Sequence, residues 1–311
     1  MRAAETKWTR REITTADEFA AYMSERGLSQ PEAARLLNVA HSTLSPMLSH
    51  KYPGDVAGIC TRMRQILRRA QLRAVAGKRP TYVTTSITEQ VVSACSIAHV
   101  EQIISLVIGP SGIGKTAGML RYCNQDPKAV YVHAGIGASP WSCLKLIAQR
   151  VGVPYHSPAR QLRSDLAAHM AGTETLLVVD ELDFVREPTL QCLRMLHEEA
   201  GIGMVWSSTS ALLRKLQQTG SPTLRQVMRR IRFVARLTYC SRDDIERVLA
   251  SYRLDTETLD AVVGDAAGEV DRAISVIVRA LSMRNGEGRV TPALVHKAYE
   301  TLPPPDKAGR D

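Results

Sequence analysis

Residues 103–116 read IISLVIGPSGIGKT, an apolar run that contains one serine, followed by a glycine-rich loop that ends in Lys-Thr. The last eight residues fit the pattern G-x-x-x-x-G-K-[ST], in which glycines let the backbone approach a ligand closely and backbone N–H groups line a nest for phosphate oxygens. The apolar run predicts a buried strand, and the segment KTAGMLRYC that starts at Lys115 predicts a helix whose N-terminus favours an anion. Strand, loop and helix in this order predict a phosphate-binding loop.

Two side chains of this loop have expected roles of their own. We expect Lys115 to reach the β- and γ-phosphates of ATP and the hydroxyl of Thr116 to bind Mg²⁺. Taken alone, the motif also fits a glycine-rich turn that happens to hold Lys-Thr. The residues expected around the phosphates are Pro110, Ser111, Gly112, Ile113, Gly114, Lys115 and Thr116.

A pair of acidic residues follows a second apolar run. In TLLVVDELD, residues 176–179 predict a buried parallel strand, and Asp180 and Glu181 come directly after it. Because ligands of parallel sheets sit at the carboxyl ends of the strands, we expect Asp180 to hold Mg²⁺ and Glu181 to polarise the attacking water. Acidic pairs after strands also occur as helix N-caps. Together with the upstream loop, however, this pair predicts ATP hydrolysis.

Apolar and helical segments alternate around these motifs, which predicts an α/β fold with a doubly wound parallel sheet. The predicted strands are residues 103–108, 130–133, 176–179 and 203–207, and the helices between them include residues 141–151 and 189–200.

Polar and basic residues follow the fourth predicted strand. Thr209 comes directly after it, where the hydroxyl would contact the γ-phosphate or position the water, although capping of the strand end is an alternative. The next segment, LRQVMRRIRFVAR, is rich in arginine. In an oligomer, Arg225 or Arg230 would reach the nucleotide of a neighbouring copy as an arginine finger. A solvated basic face is the alternative for either residue.

The composition of the 311 residues fits a soluble globular protein. Hydrophobic residues make up 44% and charged residues 23%, mean hydropathy is −0.13, and no apolar stretch reaches membrane-spanning length. The first residues carry no apolar signal core, and the six cysteines are scattered without a C-x-x-C pair. These features predict a cytoplasmic protein with reduced thiols.

The chain is basic, and most of the surplus lies near its N-terminus. Net charge is +9, and residues 1–80 hold fourteen Lys or Arg against seven Asp or Glu. A basic module beside an ATPase predicts a polyanionic partner, most often nucleic acid. A solubilising charged surface is the alternative.

Residues 18–72 predict a small helical module with a helix-turn-helix arrangement. In LSQPEAARLLNVAHSTLSPMLSHKYPGD, Ser29 is suited to cap a helix and Asn38 to a turn that needs a positive φ. The second helix would carry Ser42, Thr43 and Ser45 towards the major groove. Pro46 departs from this pattern because it removes a helical hydrogen bond, so the second helix would kink or restart at Ser45. A helical protein–protein module is the alternative.

The remaining segments complete the predicted organisation. SRDDIERVLASY and GEVDRAISVIVRAL predict a helical lid. The predicted divisions are an N-terminal extension (1–17), the helix-turn-helix domain (18–72), a linker (73–84), the ATPase core (85–238), the lid (239–302) and a disordered tail (303–311).

A core of this kind with a short helical lid resembles AAA+ proteins. The order of the whole chain is similar to the MuB family, the ATP-dependent target-DNA-binding proteins of Mu-like transposing phages. The resemblance rests on HKYPGD, on PTYVTTSITEQVVSACSIAHVEQIISLVIGPSGIGKT, on LLVVDELD and on GEVDRAISVIVRALSMRNGEGRV. It implies ATP-dependent assembly of a helical filament on double-stranded DNA in a bacterial cell, with weak sequence preference. It further implies delivery of that DNA to a transposase, stimulation of the transposase, and release on hydrolysis.

The resemblance also assigns residues. Thr209 matches the polar sensor position, where such families usually have Asn. The family expects an arginine three residues after the lid glycine; Asp271 stands there, and Arg272 follows it as the expected ATP contact. Arg160 and Arg163, in VPYHSPARQLRSD, match a loop that faces DNA in such filaments.

Two other functions fit the same motifs. One is an ATP-switched transcription regulator that reads an operator, and the other is a helicase loader or secretion-type ATPase whose partner is a protein. DNA binding that requires ATP and ignores sequence distinguishes the transposition protein from both.

Overall fold

The computed structural model describes residues 8–76, 82–135, 137–156, 158–218, 220–283 and 289–304. The chain divides into two compact units, Met1–Arg79 and Pro80–Asp311, and the boundary between them falls in the predicted linker. Most of the predicted extension, part of the linker and most of the predicted tail lie outside the described residues: 1–7, 77–81 and 305–311.

The described residues of the first unit form four helices: α1 (Arg10–Glu25), α2 (Gln30–Leu37), α3 (His41–Leu48) and α4 (Val56–Ala76). Capping boxes formed by Thr9 with Glu12 and by Ser29 with Glu32 begin α1 and α2, because each side chain satisfies a backbone N–H that the first turn leaves unpaired. Their apolar faces enclose a separate core that includes Phe19, Leu37, Leu44, Met47 and Met63.

The predicted turn between α2 and α3 is confirmed, since Asn38 has a φ of 52°. Helix α3 continues through Pro46, so it does not restart at Ser45. In this eight-residue helix, Pro46 removes only the hydrogen bond to the carbonyl of Ser42, and the buried side chains of Leu44 and Met47 anchor the helix to the core.

The second unit is built on one parallel sheet of five strands in the order β2-β3-β4-β1-β5. The strands are β1 (Ile104–Ile108), β2 (Ala129–His133), β3 (Leu176–Asp180), β4 (Gly203–Ser208) and β5 (Ile231–Arg236). The predicted doubly wound α/β fold is confirmed, and its four strands agree within about one residue. Strand β5 was not predicted, because it is an edge strand whose half-exposed residues do not form an apolar run.

Helices cover both faces of this sheet. They are α5 (Ser86–Glu101), α6 (Lys115–Gln125), α7 (Pro140–Val151), α8 (Ala159–Met170), α9 (Glu187–Ala200), α10 (Ser210–Gln218), α11 (Pro222–Arg230), α12 (Arg242–Leu249), α13 (Thr256–Ala266), α14 (Val270–Met283) and α15 (Pro292–Glu300). Helices α7 through α11 share one hydrophobic core with one face of the sheet. Helices α5 and α12 through α15 share the other core with the opposite face. No helix in the described part of the chain is long and apolar enough to span a membrane.

Close packing fixes the start of β4 against α5. A Cβ added to Gly203 would lie 2.3 Å from the carbonyl oxygen of Ala98, so only glycine allows this approach. The parallel arrangement then brings the carboxyl ends of β1, β3 and β4 to one edge of the sheet. The phosphate loop, the acidic pair and Thr209 all follow these three ends.

Candidate nucleotide-binding site

The predicted phosphate loop connects β1 to α6 and depends on glycine at two positions. Gly112 and Gly114 have φ values of 73° and 102°, in the left-handed region that side chains disfavour. The Nζ of Lys115 donates hydrogen bonds to the carbonyl oxygens of Gly109 and Pro110, each at 2.7 Å. Burial lowers the pKa of Lys115, while the nearby carboxylates of the site oppose that shift. The loop therefore holds a lysine at the N-terminus of α6, where a phosphate would bind.

Asp180 and Thr116 meet as the motifs predict. The Thr116 hydroxyl donates to Oδ2 of Asp180 at 2.7 Å, and the Tyr131 hydroxyl donates to the same oxygen at 3.0 Å. Burial and the charge of Asp180 raise the pKa of Tyr131 well above its ordinary value, so Tyr131 stays a donor. Among the described residues, no group of three His, Cys, Asp or Glu could hold a metal. A hydroxyl and one carboxylate suit Mg²⁺, which usually completes its coordination with phosphate oxygens and water.

Glu181 adopts a backbone conformation that is unusual for its residue type. Its φ of 58° and ψ of 51° lie in the left-handed region, and such strain concentrates at functional sites. The side chain is 57% exposed, and its Oε2 lies 3.4 Å from Nε2 of His133 at the end of β2. The carboxylate of Glu181 is thus accessible to water, whereas Asp180 is buried.

Asp183 organises the end of β4, a role that the sequence analysis missed. Its Oδ1 accepts hydrogen bonds from the Thr209 hydroxyl at 2.5 Å, the Thr209 N–H at 2.9 Å and the Ser208 hydroxyl at 2.8 Å. The only sequence signal was its place as the last residue of DELD, two positions after Glu181. Thr209 is therefore held in a fixed position relative to the acidic pair.

An apolar cavity of about 120 Å³ adjoins the phosphate loop, and the sequence analysis did not predict it. Its walls come from the segment before α5, from α5, from the loop and α6, and from α12 and α14: Tyr82, Val83, Thr85, Thr88, Ile113, Gly114, Ala117, Val248, Val270 and Ile274. An apolar slot beside a phosphate site suits a flat nucleotide base.

Hydrogen bonds join the helical lid to this region. The buried carboxylate of Asp244 on α12 accepts from the N–H and the hydroxyl of Ser86 at 2.9 and 2.6 Å. The N–H of Asp271 on α14 donates to the carbonyl of Gly112 at 2.9 Å, and the thiol of Cys240 donates to the carbonyl of Ile113 at 3.4 Å. The lid is thereby connected both to the segment before α5 and to the phosphate loop.

The structure places Arg272, the predicted ATP contact, in the interior of the lid. Its side chain is buried, its Nε donates to the carbonyl of Asp265 at 3.0 Å, and its Nη1 donates to the carbonyl of Pro303. The guanidinium lies 4.5 Å from the centroid of the Tyr299 ring. These contacts direct the guanidinium into the lid packing.

The other predicted basic residues have different surroundings. Arg163, a predicted DNA contact, makes two hydrogen bonds of 2.9 Å to the carboxylate of Glu199 and so connects α8 to α9. Its contact with DNA stays a prediction. Arg230 pairs with Glu198, whereas Arg160 and Arg225 are exposed. On α3, Ser42 and Ser45 are exposed and Thr43 is half-buried.

Comparisons with known proteins agree with this geometry. Residues 99–216 match a family model described as an AAA domain. The structure is similar to Cdc6p from Pyrobaculum aerophilum, with a TM-score of 0.59 and 17% identity over 72% of this chain and 69% of that one. It is also similar to the ORC2 protein of Aeropyrum pernix, with a TM-score of 0.50 and 19% identity over 75% and 68% of the two chains. The strand order, the phosphate loop and the contact of Thr116 with Asp180 have the arrangement of the AAA+ P-loop fold.

Named proteins of similar sequence give a more specific class of protein than the fold alone. The chain is 24% identical over 284 residues to Mu-like prophage FluMu DNA transposition protein B of Haemophilus influenzae, covering 89% of this chain and 99% of that protein. It is 28% identical over 167 residues to ATP-dependent target DNA activator B of Escherichia phage Mu, covering 52% of this chain and 53% of that protein. The resemblance to the MuB family is thereby confirmed, and this chain is a homologue of the Mu-type B proteins.

Proposed function

We propose that this protein is a DNA-stimulated ATPase that assembles on target DNA with ATP and delivers that DNA to a transposase, which it stimulates. The observation that carries the proposal is the meeting of Thr116 and Asp180 below the phosphate loop, in a chain that aligns with nearly the whole length of a transposition protein B. The contact between Thr116 and Asp180 supports ATP binding and hydrolysis. The alignment with a transposition protein B supports a role of this ATPase in DNA transposition.

The proposed reaction uses each residue of the site in a distinct way. Lys115 exchanges the carbonyls of Gly109 and Pro110 for phosphate oxygens, since an ammonium binds a negative oxygen more strongly. Thr116 and Asp180 would hold Mg²⁺, which offsets negative charge on the phosphates when bound. Glu181 orients and polarises the attacking water, and Thr209 contacts the γ-phosphate or that water.

The proposed partners are double-stranded DNA, the transposase and further copies of this chain. The basic surplus of the first 80 residues and the exposed Arg160 support a polyanionic partner. Exposed Arg225 is the better candidate for an arginine finger in trans, because Arg230 is already paired with Glu198. The exposed Ser42 and Ser45 on α3 are available for a further DNA contact.

The test is binding to random-sequence duplex DNA with ATP, with ADP and without nucleotide, followed by a transposase strand-transfer assay. We expect ATP-dependent binding that ignores sequence, together with filaments visible by negative-stain electron microscopy. Lys115→Ala should abolish ATP binding, and Glu181→Gln should bind ATP but hydrolyse it about 10²- to 10⁴-fold more slowly. Lys128→Ala, at an exposed lysine that pairs with Glu174, is the matched control and should behave as wild type.

Two results would overturn the proposal. Nucleotide-independent binding to one palindromic site would favour a transcription regulator. ATP hydrolysis without any DNA binding would favour an ATPase that loads or moves a protein.

A further inference from the structure

A long stretch of the second unit has no negative side chain. Residues 128–164 include five Lys or Arg and no Asp or Glu. Two of the five are neutralised by carboxylates from elsewhere in the chain, since Lys128 pairs with Glu174 and Arg163 pairs with Glu199. In the described part of the chain, the other three have no carboxylate within ion-pair distance: Lys145, Arg150 and Arg160.

Two of these three residues lie on α7, whose outer face combines charge with an exposed aromatic ring. Trp141, Lys145 and Gln149 recur every four residues and therefore share one side of the helix. The buried side of α7 is formed by Cys143, Leu144, Ile147 and Ala148. Trp141 remains 41% exposed, which is high for a large apolar side chain.

The ammonium group of Lys145 is held between two aromatic rings. Its Nζ lies 5.2 Å from the ring centroid of Trp141 and 5.0 Å from that of Tyr155. Gln149 supports this arrangement by donating from Nε2 to the Tyr155 hydroxyl at 3.3 Å. Since cation–π contacts restrict a flexible lysine, the charge of Lys145 has a defined position at the surface. Lysines that only solubilise a surface do not need such support.

A cleft continues this surface along α7. It has a volume of about 330 Å³ and is lined by Val132, His133, Leu146, Gln149 and Arg150. Arg150 is exposed and borders the cleft beside Gln149, one helical turn beyond Leu146. Arg160 lies at the start of α8, after the segment that carries Tyr155.

We propose that Lys145, Arg150 and Arg160 bind the sugar–phosphate backbone of duplex DNA, with Lys145 positioned by Trp141 and Tyr155. The proposal rests on the proposed DNA-binding function, and it adds Lys145 and Arg150 to the DNA contact that the family resemblance already implies for Arg160. Unpaired positive charge without any negative side chain in the same stretch complements a polyanion. The two rings contact the lysine and thus position a charge, which suits phosphate contacts without a preference for sequence.

The salt dependence of binding tests this surface directly. For duplex DNA, the logarithm of the binding constant falls with the logarithm of salt concentration with a slope of about −0.9 per phosphate contact. Each contact therefore contributes about 3.5-fold to the loss of affinity between about 50 and 200 mM salt. We expect Lys145→Gln, Arg150→Gln and Arg160→Gln each to reduce the slope by about 0.9 in the presence of ATP. Trp141→Leu should weaken binding in the same direction because Lys145 loses one of its rings.

Lys128→Gln is the matched control, since it removes a lysine from the same stretch whose charge is already paired with Glu174. Its slope should equal that of wild type. Binding of a fluorescent ATP analogue should be unchanged in every variant, which shows that the fold and nucleotide site are intact.

Three outcomes would overturn the inference. Wild-type slopes in all three charge variants would exclude this surface while leaving ATP-dependent DNA binding in place. An equal loss in Lys128→Gln would show a general charge effect. A larger loss on single-stranded DNA than on the duplex would show that the rings stack on bases. A wild-type protein that binds no duplex with ATP would instead refute the proposed function itself.

Discussion

The carboxylate of Asp183 accepts hydrogen bonds from both the hydroxyl and the backbone N–H of Thr209, at 2.5 and 2.9 Å from Oδ1. Its second oxygen, Oδ2, lies 3.1 Å from the same N–H. Asp183 follows β3 and Thr209 follows β4, so this contact connects the carboxyl ends of two neighbouring strands. It holds the proposed γ-phosphate contact in place relative to Glu181.

Asp183→Asn should slow ATP hydrolysis about tenfold to a hundredfold and leave the KM for ATP within about twofold. An asparagine can keep an acceptor oxygen at the Oδ1 position, but it loses the negative charge that strengthens these hydrogen bonds. It also replaces Oδ2, which lies 3.1 Å from the Thr209 N–H, by an NH₂ group that cannot accept from it. Steady-state kinetics and direct ATP titration separate these effects. Asp165→Asn is the control, because that carboxylate accepts from Gln161 on the surface of α8. Parallel loss of kcat and of ATP affinity in Asp183→Asn would show a role in binding instead.

Ala117→Leu should weaken binding of ATP and ADP equally, by about tenfold, because the larger side chain enters the apolar cavity beside the phosphate loop. Fluorescent-nucleotide titration measures both affinities. Asn124→Leu adds a similar side chain at an exposed position of α6 outside the cavity, and it should not change either affinity. Unchanged binding in Ala117→Leu would mean that the base lies elsewhere.

Arg272→Met should lower the free energy of unfolding by about 2–3 kcal/mol, since it removes charged hydrogen bonds to two carbonyls and the contact with Tyr299. ATP affinity of the folded protein should stay within about twofold. Urea unfolding and ATP titration are the two measurements. Arg279→Met, at an exposed position of the same helix, should change neither quantity. Selective loss of ATP affinity in Arg272→Met would restore the ATP contact implied by the family resemblance.

Asp244→Asn should lower the free energy of unfolding by about 2 kcal/mol at pH 7. Burial raises the pKa of Asp244, but hydrogen bonds from Ser86 and Ser241 outweigh burial and hold the pKa below its ordinary value. The charged form therefore stabilises the fold above about pH 4, and this contribution is lost as pH falls through the lowered pKa. The difference between wild type and variant should shrink accordingly between pH 7 and pH 3.

Urea unfolding across this pH range measures the difference. Asp260→Asn is the control, because Asp260 forms an exposed ion pair with Arg242 and should matter by less than about 1 kcal/mol. A difference that does not depend on pH would show that the charge of Asp244 is not what stabilises the contact with Ser86.

Sequence patterns correctly predicted those structural features that are formed by residues close together in the chain. The phosphate loop, the four predicted strands, the cap at Ser29 and the turn at Asn38 each depend on residues within a few positions of one another. The edge strand β5 was not predicted, because its sequence lacks such a local pattern. Its residues are only half-buried, so they carry no continuous apolar run that a sequence pattern could detect.

Residue types and spacings are enough to predict the class of chemistry, because glycines, Lys115, Thr116 and the acidic pair at their spacings suit phosphate and Mg²⁺. The distant residues that complete the site become visible only in the folded chain. Asp183, which follows β3, accepts a hydrogen bond from Thr209, which follows the neighbouring strand β4. Asp244 accepts one from Ser86, which lies 158 residues earlier in the chain. The tertiary structure also decided which arginines are already paired within the chain. The physical reason is that hydrogen bonds, ion pairs and cavities form between side chains that folding brings together, and their separation in sequence contains no information about that proximity.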